Sequence, residues 1–202
     1  MPDMMNYLKI MERNTNRLID LTNQLLDFKQ TEISSFSLSF IRADIAAILV
    51  ETYHNFKPLA EQNKLQFHLS IPADAVYAYI DFDAFSKILY NLFGNAVKYA
   101  ETTIVIELQP MVASSKYFTI TTKNDGFIIP NNMKEKIYQP FFRLKETEKQ
   151  KGTGIGLALS RSLAQLHTGT LVLGEPEANM NVFVLTLPLH QDNEFNLSQP
   201  LI

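Results

Sequence analysis

The sequence predicts an α+β fold: a two-layer α/β sandwich, a mixed sheet covered by helices, preceded by one long helix. Three observations carry this. Residues 4–31 keep an unbroken helical period without glycine or proline. Beyond them, helical and strand patterns interleave without strict βαβ repeats, which favours α+β over a doubly wound sheet. The 202 residues, 46% hydrophobic, are enough for one substantial core with an accessory element.

In the first segment Met4, Met11, Leu18 and Leu25 recur every seven residues, with Tyr7, Leu21 and Phe28 three places after members of that series. Asn14 fills the remaining slot, and Glu12, Arg13, Asn16, Asp20 and Asn23 lie opposite. A narrow apolar seam with a polar far side is a bundle or dimer helix. Residues 32–41, with Phe36, Leu38 and Phe40 alternating with serines, read as an extended linker. A helix is expected over 43–62, kinked or ended early by Pro58. Strands follow at 65–69 and 76–80. Asp81-Phe82-Asp83 starts a helix to about Tyr99, acidic residues suiting its first turn. Residues 103–108 and 117–122 are β-rich neighbours. Residues 125–152 form a long polar segment around the apolar island 137–143. A helix spans 154–167, with Gly169 suited to its C-terminal end. Strands at 170–173 and 182–187 close the fold, and a polar tail begins at His190.

Composition narrows the function. The net charge is −3, from 18 basic and 21 acidic residues, and offers no basic excess for nucleic acid. There is no cysteine, hence no disulfide framework, thiolate metal site or cysteine nucleophile. No apolar run reaches the roughly 18–20 residues that span a bilayer, and the N-terminus lacks the pattern of a secretory signal.

The chemistry concentrates in three places. Gly152, Gly154 and Gly156 fall two residues apart before an apolar helix. Such a turn lets phosphate oxygens reach backbone N–H groups at the positive helix end. It is not a P-loop, because Leu157 follows Gly156 where a lysine is required, and the charged run 145–151 before it is no strand, which argues against a dinucleotide fingerprint. Asn91, Asn95 and Lys98 share a helical face, with Leu89, Leu92, Phe93, Ala96 and Val97 on the core side. A neutral oxygen suits hydrated Mg²⁺, and the lysine meets phosphate as a point charge. Asn124-Asp125-Gly126 ends a β pattern. It is good turn chemistry, and an oxygen there could also accept from an exocyclic amine such as that of adenine.

In order and spacing, residues 40–188 resemble the ATP-binding domain of sensor histidine kinases, of the Bergerat ATPase superfamily. Asn91–Tyr99 is similar to the N box. Asn124-Asp125-Gly126 with Ile129-Pro130 resembles the first glycine box, Pro140-Phe141-Phe142-Arg143 the F box, and Gly152-Thr153-Gly154-Ile155-Gly156-Leu157 the second glycine box. Residues 4–31, above all Arg17-Leu18 and 23–28, look like the second helix of the dimerisation and histidine-phosphotransfer domain, and the boxes resemble those of hybrid two-component sensors. The resemblance implies a partial dimerisation domain at 1–33, a catalytic domain at 34–190 and a linker at 191–202. It implies ATP and Mg²⁺ as cofactors. Asn95 would ligate the metal, Asn91 would support the metal–phosphate region, Lys98 would contact phosphate, and Tyr99 would pack near the nucleoside. Gly152, Gly154 and Gly156, with Thr153, Ile155 and Leu157, would line the triphosphate beneath a lid at 127–151, and Arg143 and Lys151 are further phosphate contacts. The first glycine box, Asn124, Asp125 and Gly126, would serve the base, with either Asn124 or Asp125 facing it. Partners would be a phosphotransfer helix, a receiver domain or response regulator, and a second copy through helix 4–31, with no nucleic acid and no membrane contact by this segment. The setting would be the cytoplasmic part of a membrane-anchored sensor.

Two departures stand out. The family's first glycine box begins with aspartate, where this chain has Asn124, with Asp125 one place later. Its second glycine is Ile128 here. A neutral amide accepts more weakly than a carboxylate, so the alternative is a degenerate nucleotide-sensing or docking module. The four histidines, His54, His68, His167 and His190, lack the context of the family's phospho-acceptor, which would sit on another helix. A hydrolytic relative would carry glutamate early in the N box, and residues 86–90 contain none.

Overall fold

A computed structural model describes residues 2–31, 37–112, 114–147, 150 and 152–191. Lys151, residues 32–36 of the expected linker and the tail from 192 onward lie outside them. Helix α1 spans Pro2–Thr31. Strand β1, Ile41–Asp44, leads into α2, Ile45–Gln62. Strands β2 (Gln66–Ser70) and β3 (Tyr77–Ile80) precede α3, Phe82–Tyr99. After β4 (Thr103–Leu108) and β5 (Tyr117–Asn124) comes a long loop with three 3-10 turns. Helix α4 (Gly156–Leu166) and strands β6 (Thr170–Leu173) and β7 (Asn181–Pro188) complete the order.

The main sheet has the order β2-β4-β5-β7-β6. Only β2 and β4 pair parallel within it. Helices α2, α3 and α4 pack against this sheet and each other. Alternation explains the layering: Ile104, Ile106 and Leu108 of β4 are buried while Thr103, Val105 and Glu107 are not. Helix α3 buries Phe85, Ile88, Leu89, Leu92, Phe93, Ala96 and Val97 on one stripe, which leaves Asn91, Asn95 and Lys98 off the core.

The structure adjusts several expectations. Residues 41–44 are a strand paired antiparallel with β3, not linker and helix. The helix begins one residue after Asp44, whose Oδ1 accepts from the amides of Ala46 and Ala47 and sets the start. Pro58 does not end α2, which runs to Gln62. The proline is exposed, so the carbonyl it leaves unbonded can turn to water. Helix α4 starts at Gly156 rather than Gly154, because Gly154 takes φ +75°. At its far end the left-handed residue is Thr168 (φ +57°), not Gly169. Thr168 and Gly169 close the helix through Gln165 and Ala164 carbonyls, and a Cβ on Gly169 would lie 2.3 Å from the Thr186 carbonyl oxygen. The glycine serves close packing on β7.

Helix α1 is divided in its environment. Met4, Tyr7, Met11 and Leu18 are exposed, whereas Phe28 is buried in the core cluster and Leu25 packs against it. Asp27 pairs with Lys87 of α3 at 2.8 Å. The C-terminal part of the seam thus docks on the sandwich beside α4. No helix among the described residues is long and apolar enough to cross a membrane.

Candidate functional site

A cavity of ≈ 510 Å³ opens between α3, the loop after β5 and the first turn of α4. That is within the usual range for a small-molecule site. Asn91, Asn95, Lys98 and Tyr99 line it from α3, and Asn124, Asn181 and Phe183 from the ends of β5 and β7. Gly152, Thr153, Gly154, Gly156 and Leu157 line it from the glycine loop, and Arg143 from the preceding segment.

The glycines fit against the α3 side chains. A Cβ on Gly152 would stand 2.6 Å from Lys98 Nζ, and one on Gly156 would stand 2.8 Å from Asn91 Oδ1. Gly154, at positive φ, lies against the backbone of Phe141 and Phe142, and its carbonyl accepts from the Phe141 amide at 3.0 Å. Gly154 therefore requires bare backbone, whereas Gly152 and Gly156 leave the ends of Lys98 and Asn91 their present places. The N-cap residue of α4, Ile155, supplies no side-chain cap, and Gly156 and Leu157 of its first turn line the cavity. Lys98 Nζ donates to Tyr99 Oη at 2.7 Å and sits 4.4 Å from that ring's centroid. The cation is thus held at the cavity edge by its own neighbour.

The structure separates Asn124 from Asp125. Asn124 is buried and lines the cavity. Asp125, the other candidate for the base, points elsewhere: its carboxylate accepts from the amides of Glu101, Thr102 and Thr103 and from the Thr102 hydroxyl. Burial pushes its pKa up, but these hydrogen bonds outweigh that and hold it below the usual carboxylate range. Asp125 ties the turn between α3 and β4. Gly126 does not line the cavity either; a Cβ there would fall 1.7 Å from the Tyr99 carbonyl oxygen. Ile155 is buried in the core, and its amide donates to Thr153 Oγ1 at 3.2 Å. Arg143 is placed at the cavity but directs Nη2 to the carbonyls of Gln150 and Thr147, bracing the loop.

Among the lining residues that escaped the sequence reading, Asn181 and Gln24 make side-chain hydrogen bonds. Asn181 anchors the loop after β5: its Oδ1 accepts from Ile129 N and its Nδ2 donates to Phe127 O, both at 2.9 Å. Gln24 arrives from α1, its Oε1 accepting from Thr153 Oγ1 at 2.8 Å. Phe127, Ile129, Ile137, Phe142 and Phe183 add apolar walls. Such a cavity accommodates a flat heterocycle among apolar side chains and anionic groups near Lys98 and the glycines.

This fold and site define a nucleotide-binding ATPase domain. The chain belongs to the histidine kinase-, DNA gyrase B- and HSP90-like ATPase family, whose model matches residues 80–191. Histidine kinase P4 of Formosa agariphila is 31% identical over 187 residues, which cover 90% of this chain and 14% of that protein. The chain therefore spans about one seventh of that relative's length. The catalytic domain of histidine kinase ThkA, in a nucleotide-free form, superposes with a TM-score of 0.67 at 25% identity, covering 76% of this chain and all of that one. ThkA in complex with response regulator protein TrrA gives 0.71 at 23% identity, over 91% of this chain and 50% of that chain. Full-length ShkA in complex with AMPPNP shares the fold at a TM-score of 0.79 and 20% identity, over 91% of this chain and 38% of that one.

Proposed function

We propose that this chain is the ATP-binding catalytic part of a two-component sensor histidine kinase. The γ-phosphoryl group of ATP would pass to a histidine on a helix outside this sequence and then to a receiver. Residues 1–33 would be the second helix of the dimerisation domain, 34–190 the catalytic domain and 191–202 a linker. The observation that carries the reading is the seating of Gly152 over Lys98 and of Gly156 over Asn91, a cradle that any side chain would fill.

The residues present fit ATP. Lys98 and the amides of the glycine loop and first turn of α4 would hold phosphate oxygens. Asn95 would supply one neutral oxygen to Mg²⁺, which keeps most of its waters and takes few protein ligands. The bound metal would neutralise phosphate charge. The protein's own contribution is positioning and fixed dipoles, the means by which phosphoryl transfer is accelerated. A receiver domain as partner is supported by the ThkA–TrrA complex, and homodimerisation through α1 by its exposed Met4, Tyr7, Met11 and Leu18.

The test is calorimetric titration of the full chain with Mg-ADP and a non-hydrolysable ATP analogue. Binding in the micromolar to sub-millimolar range, abolished by Asn95→Ala, is the expected result. No heat at millimolar nucleotide from folded protein would overturn the proposal.

A further inference from the structure

Asn124 and Asn181 are register partners at the ends of β5 and β7, and both line the cavity. Their amides are used differently. Both polar ends of Asn181 are committed to the loop backbone at Ile129 and Phe127. Asn124 is 3% exposed, and its Nδ2 has no hydrogen-bond partner among the described residues. A buried donor left without an acceptor is costly, and the open space that this residue lines is the cavity. Phe127, Ile129 and Phe183 beside it suit an aromatic base.

A side-chain amide carries a donor and an acceptor on one flat group, whereas a carboxylate only accepts. No hydrogen bond to a described residue fixes which way this amide faces, so a half-turn about its last bond exchanges the two. Adenine offers an amine donor beside a ring-nitrogen acceptor. Hypoxanthine and guanine offer a keto acceptor beside a ring N–H donor. An amide meets either pair by turning over. A carboxylate would set lone pairs against the keto oxygen.

We propose that Asn124 makes this site tolerant of the group at the purine's sixth position, so that it takes keto-purine nucleotides as well as adenine nucleotides. The proposal rests on the nucleotide reading above and adds the class of base.

Titration of the full chain with Mg-ADP, Mg-IDP and Mg-GDP, for wild type and Asn124→Asp, tests it. Wild type is expected to bind IDP within tenfold of ADP. Asn124→Asp should weaken IDP at least tenfold relative to ADP; hypoxanthine, which lacks guanine's second amine that a carboxylate could also accept from, is the keto base that decides the comparison. Wild-type discrimination against IDP by more than tenfold overturns the proposal while leaving the nucleotide site standing. So does an ADP-to-IDP ratio that Asn124→Asp leaves unchanged. Failure of the folded wild-type chain to bind any of the three overturns the nucleotide reading itself and this inference with it. The wild-type ratio is decisive even if the buried carboxylate of the variant prevents folding.

Discussion

Gly152 and Gly126 show how one residue type serves two purposes. A methyl group on Gly152 would meet the tip of Lys98, a flexible chain that can swing aside. On Gly126 it would meet the Tyr99 carbonyl, which belongs to the backbone at the end of α3. Gly152→Ala should therefore keep its midpoint of unfolding and weaken Mg-ADP binding by about tenfold, roughly 1.4 kcal/mol. Gly126→Ala should lose about 1–3 kcal/mol of stability, the scale of overpacking. Denaturant midpoints set beside titrations check the pair, and a reversed order would refute the assignment of cradle and scaffold. His167 makes a different residue-scale prediction. It is fully buried, with Nδ1 2.8 Å from the Leu163 carbonyl and Nε2 accepting from the Asp81 amide at 3.1 Å. Phe40 meets the ring edge-on. Burial lowers its pKa, against opposing contributions from the Leu163 carbonyl and Asp81. Because the folded pKa is depressed, the unfolded chain takes up the proton first. The contribution is then fully present above the unfolded value near 6.5 and is lost as pH falls from there through the folded value. Chemical denaturation across about pH 7.5 to 5 should show declining stability. His167→Gln should flatten that slope, and an unchanged slope in the variant would assign it to other groups.

At the scale of elements, α1 has an exposed length and a docked end. Phe28 is buried in the core cluster, Gln24 reaches Thr153, and Asp27 pairs with Lys87. The ion pair is partly exposed and is worth about 0–1 kcal/mol at most, so the aromatic ring dominates the docking. Phe28→Ala should cost about 3 kcal/mol locally and raise amide exchange across the last turns of α1. Leu18→Ala, on the exposed length, should stay within about 0.5 kcal/mol. Equal protection of those turns in both variants would contradict this division. The helix itself was legible because its period is local, and so were the three glycines, since close backbone approach tolerates little else. What escaped the sequence depends on distant pairing. Strand β1 is four residues long and exists through β3, thirty-odd positions away. Asn181 is one polar residue before an apolar run, and only its register opposite Asn124 gives it meaning. Asp125 and Asn124 are adjacent and chemically alike, so only backbone direction decides that the amide enters the cavity and the carboxylate turns to the α3–β4 turn.

Over the whole molecule, the cavity draws walls from α1, α3, β5, the long loop, the glycine turn, α4 and β7. Gln24 and Phe183 lie far apart in sequence, and the unfolded chain has no means of bringing these groups together. A nucleotide therefore binds the folded state alone, and mass action turns its affinity into stability. At one hundred times the dissociation constant the gain is about 2.7 kcal/mol. For a chain of this size, each kcal/mol moves the midpoint by about 2–4 °C. Saturating Mg-ADP should thus raise the melting temperature by about 5–11 °C. The rise should grow with the logarithm of ligand concentration rather than level off. Asn95→Ala separates this linkage from nonspecific stabilisation. Asn95 is off the core stripe of α3, so its loss should leave the unliganded midpoint near that of the wild type while removing the shift. A variant that still responded to Mg-ADP as the wild type does would show that the nucleotide is held without the asparagine face of α3.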